Sequence, residues 1–245
     1  MLFWIIGFSV LGSVGAVAGA ALLLLFPDGT RRTLVPVLVS YATGTLLGAA
    51  FLGMIPAGLK QAPAMTISGT VLAGMVLFFV LEKFVLWRHC HDAGCEVHGH
   101  AAPLILIGDA FHNFVDGVVI AAAFLTSIPL GITAAFAVIA HEIPQEVGDF
   151  AILLDSGYSR GRAMMLNGLS SLATLPGAVA AYFWLGETRA AVPYILALSA
   201  ASFIYIATAD LIPGLHRQVT LAASLRQLGL LLAGIGTIAA FHLGH

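Results

Sequence analysis

Eight stretches dominated by apolar residues follow one another along the chain: Leu2–Phe26, Leu34–Leu59, Ile67–Trp87, Pro103–Leu125, Pro129–Leu153, Ala163–Leu185, Val192–Leu215 and Leu221–His242. A helix needs about 20 such residues to cross a hydrocarbon core about 30 Å thick. The gaps between them hold turn formers, among them Pro27-Asp28-Gly29, Asp155-Ser156-Gly157 and Gly186-Glu187. The pattern predicts an all-α polytopic membrane protein of eight transmembrane helices, with residues 1–245 forming a single membrane domain. The first stretch is longer than the apolar core of a signal peptide, about 7–15 residues, and no small-residue cleavage pattern follows it, so it reads as the first span.

Orientation follows from the short loops. Those after odd-numbered spans hold Arg31, Arg32, Arg88, Arg160, Arg162, Arg217 and Arg226, with Lys83 close by; those after even-numbered spans hold only Lys60 and Arg189. Positive loops stay inside, which places both termini outside. Spans 2 and 7 also echo each other. One closes Ile55-Pro56-Ala57-Gly58-Leu59 and the other Ile212-Pro213-Gly214-Leu215, and they run in opposite directions. This predicts inverted repeats, spans 1–3 and 6–8, around a central pair 4 and 5, an arrangement transporters use to build a site near the midplane.

Composition sharpens this picture. Hydrophobic residues make up 60% of the chain and charged residues 9%, against about 25% charged in a soluble domain, and the mean hydropathy is +1.00. Too few polar groups exist to cover a water-facing surface, so the solvent is the lipid bilayer. The ten Lys and Arg are scattered and the net charge is −2, which gives nucleic acid no basic surface to bind.

The candidate chemistry sits where the bilayer makes it costly, by roughly 2.5–3.5 kcal/mol per ionisable group. Span 4 reads Gly108-Asp109-Ala110-Phe111-His112-Asn113-Phe114-Val115-Asp116-Gly117, and span 5 reads His141-Glu142-Ile143-Pro144-Gln145-Glu146-Val147-Gly148-Asp149. At about 100° per residue, Asp109, His112, Asn113 and Asp116 share one face, as do His141, Gln145 and Asp149 with Glu142 and Glu146 beside them. The two stripes are joined by the short link Thr126-Ser127-Ile128 and are expected to face each other. Neither span has a Lys or Arg to balance the carboxylates of Asp116, Glu142, Glu146 and Asp149. A bound divalent cation is the natural counter-charge, and imidazole with carboxylate suits zinc and other first-row metals. Pro144 removes a hydrogen bond to the carbonyl of Ala140 and is expected to kink the helix there. A helix-gluing hydrogen-bond network and a proton relay are the competing readings of the stripes.

The loop after span 3, Arg88-His89-Cys90-His91-Asp92-Ala93-Gly94-Cys95-Glu96-Val97-His98-Gly99-His100, has a metal-binding composition. Its Cys spacing matches no zinc finger, and a cytosolic place disfavours a disulfide between Cys90 and Cys95. It reads as a weak capture or sensing segment.

His-Asn-Phe-Val-Asp-Gly followed by His-Glu-Ile-Pro-Gln-Glu-Val-Gly-Asp-Phe resembles the Zrt/Irt-like (ZIP) family of divalent metal transporters, and most the branch with His-Glu-x-Pro-His-Glu in span 5. The resemblance takes in the eight spans, the His-rich loop and the Glu82–Lys83 pair. It implies transport of zinc, or of iron, manganese or cadmium, towards the cytosol by a homodimer, with spans 1, 4, 5 and 6 sliding against the rest. It implies a two-metal site: His112, Asp116, His141 and Gln145 for the main ion, Asn113 and Glu142 for the second with Glu146 nearby, and Asn167 and Ser170 of span 6 as further polar groups. The metal is cargo, and no catalytic cofactor or catalytic residue is implied. A compact chain without a cleaved leader points to a cell membrane, the bacterial inner membrane first. Gln145 stands where the branch has a second His, while Gly53, Ala57 and Gly214 stand where polar residues are usual, which puts an auxiliary path in doubt. The alternative is a membrane zinc protease, because His141-Glu142-x-x-Gln145 nearly matches His-Glu-x-x-His. Catalysis would need Glu142 free as general base and an open metal position.

Overall fold

In a computed structural model of the chain, the backbone is described for residues 1–89 and 101–243, and the side chains for 1–83 and 106–241. The capture role expected of the His- and Cys-rich loop falls outside the described residues.

Eight helical rods, and no strand among the described residues, make up the fold: α1 Leu2–Leu24, α2 Asp28–Leu59, α3 Ala64–His89, α4 Ala101–Thr126, α5 Ile128–Asp155, α6 Arg160–Glu187, α7 Arg189–Leu215 and α8 Leu221–Leu243. Seven are long and apolar enough to cross a membrane. The eighth, α5, has 28 residues and ample length; the polar groups of its second half lower its hydropathy. The surface is inverted relative to a water-soluble protein, with Phe3, Leu25 and Met65 all more than three-quarters exposed.

Local sequence explains the ends and the irregularities. The Ser127 hydroxyl caps α5 by accepting from the Leu130 N–H at 3.2 Å, with Pro129 in the first turn, where its missing N–H costs nothing. At the other end Gly157 adopts φ 86°, and the N–H groups of Tyr158 and Gly157 reach back to the carbonyls of Leu153 and Leu154. That is the six-to-one and five-to-two closure that only a left-handed residue permits. Within it, α5 runs unbroken through Pro144. Spans 2 and 7 each contain a wide π-helical turn, Ala49–Met54 and Ile206–Leu211, ending directly before Ile55-Pro56 and Ile212-Pro213. A proline cannot donate to the carbonyl four residues back, and an inserted residue absorbs the mismatch. The sequence echo is therefore also an echo of backbone geometry. In α6 the helix loosens at Leu172 and Ala173, between Arg160–Ser171 and Thr174–Glu187, just ahead of Pro176.

Packing is most extensive for the pairs α4 with α6, α2 with α8 and α2 with α7, followed by α1 with α5, α2 with α5, α3 with α7 and α4 with α5. Two of these are backbone-to-backbone crossings. A methyl group added at Gly117 would run into the carbonyl of Thr174, and one at Gly177 into the carbonyl of Phe114. Gly44 stands in the same relation to Leu231, and Gly234 to Tyr41. Small residues let helices approach this closely in lipid, where dispersion contacts take over from the hydrophobic effect. The Tyr41 hydroxyl adds a 3.0 Å bond to Thr237 across the α2–α8 crossing. The apolar core lies along Val119–Phe124 of α4, Leu130–Val138 of α5 and Leu196–Phe203 of α7. That core fills one half of the α4–α5 pair and leaves the other half to the polar stripes.

Candidate metal centre

The two stripes meet as their periodicity requires. On α4, His112 and Asp116 lie one turn apart; on α5, His141 and Glu142 are neighbours facing them. One donor atom from each of these four residues lies within 4.8 Å of the others. His112 Nε2 is 3.2 Å from His141 Nε2, 3.2 Å from Glu142 Oε1 and 3.7 Å from Asp116 Oδ2. His141 Nε2 is 3.3 Å from Asp116 Oδ2 and 3.5 Å from Glu142 Oε1. A tetrahedral ion with bonds of about 2.0–2.1 Å holds its ligand atoms about 3.3–3.4 Å apart. The edges of the site scatter around that value.

The surroundings prepare these atoms for a cation. His141 Nδ1 is 2.9 Å from the carbonyl of Ala137. A carbonyl only accepts, so Nδ1 carries the proton and the Nε2 lone pair faces the site. The fully buried Phe203 of α7 packs edge-on against the ring, centroids 5.9 Å apart. His141 is 1% exposed, Asp116 and Glu142 are fully buried, and all four oxygens of these two carboxylates lack a hydrogen-bond partner. Buried carboxylates without partners carry a large desolvation cost unless a counter-charge is present. The donor set thus fits a divalent ion by geometry, by tautomer and by charge.

The remaining residues singled out in the sequence lie around this group rather than in it. Gln145 directs its Nε2 to Asp109 Oδ1 at 3.4 Å. Asn113 donates to Asp109 Oδ1 at 3.0 Å and accepts from the Thr174 hydroxyl of α6 at 3.0 Å. Glu146 is fully buried, with neither carboxylate oxygen partnered; its backbone carbonyl accepts from Asn167 Nδ2 at 3.0 Å. Ser170 bonds to the carbonyls of its own helix. Glu142 thus completes the group of four, and Gln145 is turned to Asp109. Two participants carried no strong sequence signal. Thr174 is a single hydroxyl in an apolar span, visible only as the last member of the series Asn167, Ser170, Ser171, Thr174 at helical spacing. Asp109 lies on the polar face of α4 but forms no ligand motif. Away from the site, Tyr205 of α7 donates to Glu82 of α3.

A bundle of membrane-length helices around a buried group of imidazole and carboxylate donors defines an all-α membrane protein with a candidate metal centre in its interior. A family model described as ZIP Zinc transporter matches residues 88–242, and the chain belongs to that family. It is similar to the zinc transporter zipt-7.2 of Caenorhabditis elegans, 30% identical over 82% of this chain and 57% of that protein. The zinc transporter ZIP13 of Pongo abelii is 35% identical over 84% of this chain and 66% of its own length. The zinc transporter ZIP13 homolog of Drosophila melanogaster is 29% identical over 95% and 87%. The chain therefore spans less than two thirds of the first two of these relatives.

Proposed function

We propose that this chain carries divalent transition-metal ions, zinc foremost, across a cell membrane, through the site between α4 and α5. The observation that carries the reading is the group of four donor atoms from His112, Asp116, His141 and Glu142, all within 4.8 Å of one another, with five of the six separations at 3.2–3.7 Å. Two neutral imidazoles and two carboxylates neutralise a doubly charged ion, so cargo sits in the low-dielectric interior without net charge. Asp116 and Glu142 each keep an oxygen outside these distances and without a partner. Those oxygens support a second ion beside the first, bridged by the two carboxylates, with Asn113, Gln145 and Glu146 as neighbouring donors. Movement towards the cytosol, a homodimer, and both termini outside complete the proposal; their support is the loop-charge bias and the family resemblance. The protease reading needs Glu142 as a free base, whereas Glu142 Oε1 stands 3.2 Å from His112 Nε2 among the converging donors.

Purified protein in liposomes loaded with a zinc-sensitive dye tests the core claim. Zinc is expected to enter at a rate that saturates with concentration, and uptake no faster than in empty liposomes would overturn it. In cells, Cys90 and Cys95 are expected to react with permeant thiol reagents and to resist impermeant ones; fast labelling from outside would invert the orientation.

A further inference from the structure

Asp109 lies three residues before His112, is 5% exposed, and links the residues that flank the four donors. Its Oδ1 accepts from Asn113 Nδ2 at 3.0 Å and from Gln145 Nε2 at 3.4 Å. Its Oδ2 is buried without a partner. Oδ1 accepts in both contacts, so it fixes which way each amide faces, the NH2 group towards Asp109 and the carbonyl oxygen away. For Asn113, the oxygen so directed meets the Thr174 hydroxyl at 3.0 Å. For Gln145, one turn along α5 from His141, no hydrogen bond holds the oxygen among the described residues. One carboxylate oxygen on α4 thus orients a side chain of its own helix and one of α5, and through Asn113 reaches α6.

We infer that Asp109 is a positioning residue of the metal site: it sets the direction of the Asn113 and Gln145 amide oxygens, and thereby which neutral oxygens an ion held by His112, Asp116, His141 and Glu142 can meet. The inference rests on the metal-site reading above. The chemistry is that of an outer partner aiming the neutral oxygens beside the four donors. Changes to such partners typically cost 10–100-fold in metal affinity while leaving every ligand in place. Orientation, not charge, is the operative property. An Asn at this position still presents a carbonyl oxygen where Oδ1 lies, and its NH2 group replaces the unpartnered Oδ2.

The test uses the full chain loaded with Co2+, read by its visible absorption and by displacement with zinc. Asp109→Ala is expected to weaken zinc binding about 10–100-fold and to alter the Co2+ band shape, whereas Asp109→Asn stays within about threefold of wild type with an unchanged spectrum. Gln145→Ala is expected to cost less in the Asp109→Ala background than in wild type, because residues acting as a unit are not additive. Asp109→Ser, too short to reach both amides, is read in place of Asp109→Ala if that variant does not insert. An Asn variant as impaired as the Ala variant would assign the effect to charge and overturn the inference. Equal affinities and spectra across all variants would overturn it while leaving the metal site standing, and wild-type protein that binds no Co2+ would overturn both.

Discussion

Replacing His141 by Ala removes one of four donors and little else that touches the ion, so its effect can be worked from the geometry. Structural four-coordinate zinc sites in zinc-finger peptides release roughly 10–16 kcal/mol on binding, which is about 2.5–4 kcal/mol per ligand if shared evenly. Loss of one ligand then weakens affinity about 100–1000-fold. His141 also fills space, being 1% exposed and packed on Phe203, so the variant should lose fold stability as well as affinity. His112 separates the two effects. Its side chain is 20% exposed, so His112→Ala should lose affinity to a similar degree at a smaller stability cost. Calorimetric zinc titration and dye-based uptake on inserted, monodisperse protein supply the affinities, and thermal melting in detergent supplies the stabilities. His216→Ala, at an exposed residue ending α7, is the control. If both site variants insert normally and bind zinc within about threefold of wild type, where the ligand arithmetic requires 100-fold or more, the four atoms are not the ion's ligands.

Two further outcomes follow from particular side chains. Gln145→His puts an imidazole one turn from His141, where Asp109 can accept its ring N–H and aim the other nitrogen at the ion; the expected result is a zinc-over-manganese preference raised at least about tenfold in competition binding, and an unchanged ratio would refute it. Gly117→Ala or Gly177→Ala drives a methyl group into a carbonyl of the facing helix and is expected to cost about 1–3 kcal/mol by thermal melting. Gly229→Ala, with nothing within 4 Å, should be nearly neutral, and equal melting of all three would show that the crossing does not depend on glycine.

The spans were legible because a helix in lipid must be apolar over a fixed length, and the meeting of the two polar stripes because 3.6-residue periodicity fixes which side chains share a face. Span 5 was read as a span despite its polar half, since the length of Pro129–Leu153 and the turn formers Asp155-Ser156-Gly157 after it are sequence properties. The π-turns were not legible. Pro56 and Pro213 mark a fault in the hydrogen-bond ladder, but whether the helix kinks or widens depends on what packs against it. Pro144 lies inside the continuous helix α5. The roles of Glu142 and Gln145 also lay beyond the sequence. Both are within a turn of His141, and the direction of Gln145 is set by Asp109 on another helix. Thr174 was missed because one hydroxyl in an apolar span usually bonds its own backbone, as this one also does to Ser171.

The glycine crossings bear on where this bundle can slip. At Gly117 with Gly177, and at Gly44 with Gly234, main chain meets main chain, and no rotamer change can make room for one rod to pass the other. Each pair, α4 with α6 and α2 with α8, is in effect a single girder. Relative displacement is left to seams where side chains meet, such as the one between α2 and α5, where the Tyr41 ring packs edge-on against Phe136 at 6.4 Å. The four converging donors, His112, Asp116, His141 and Glu142, all belong to α4 and α5, on one side of that seam. A stroke along it would carry the ion and its ligands together, without breaking a coordination bond on the way.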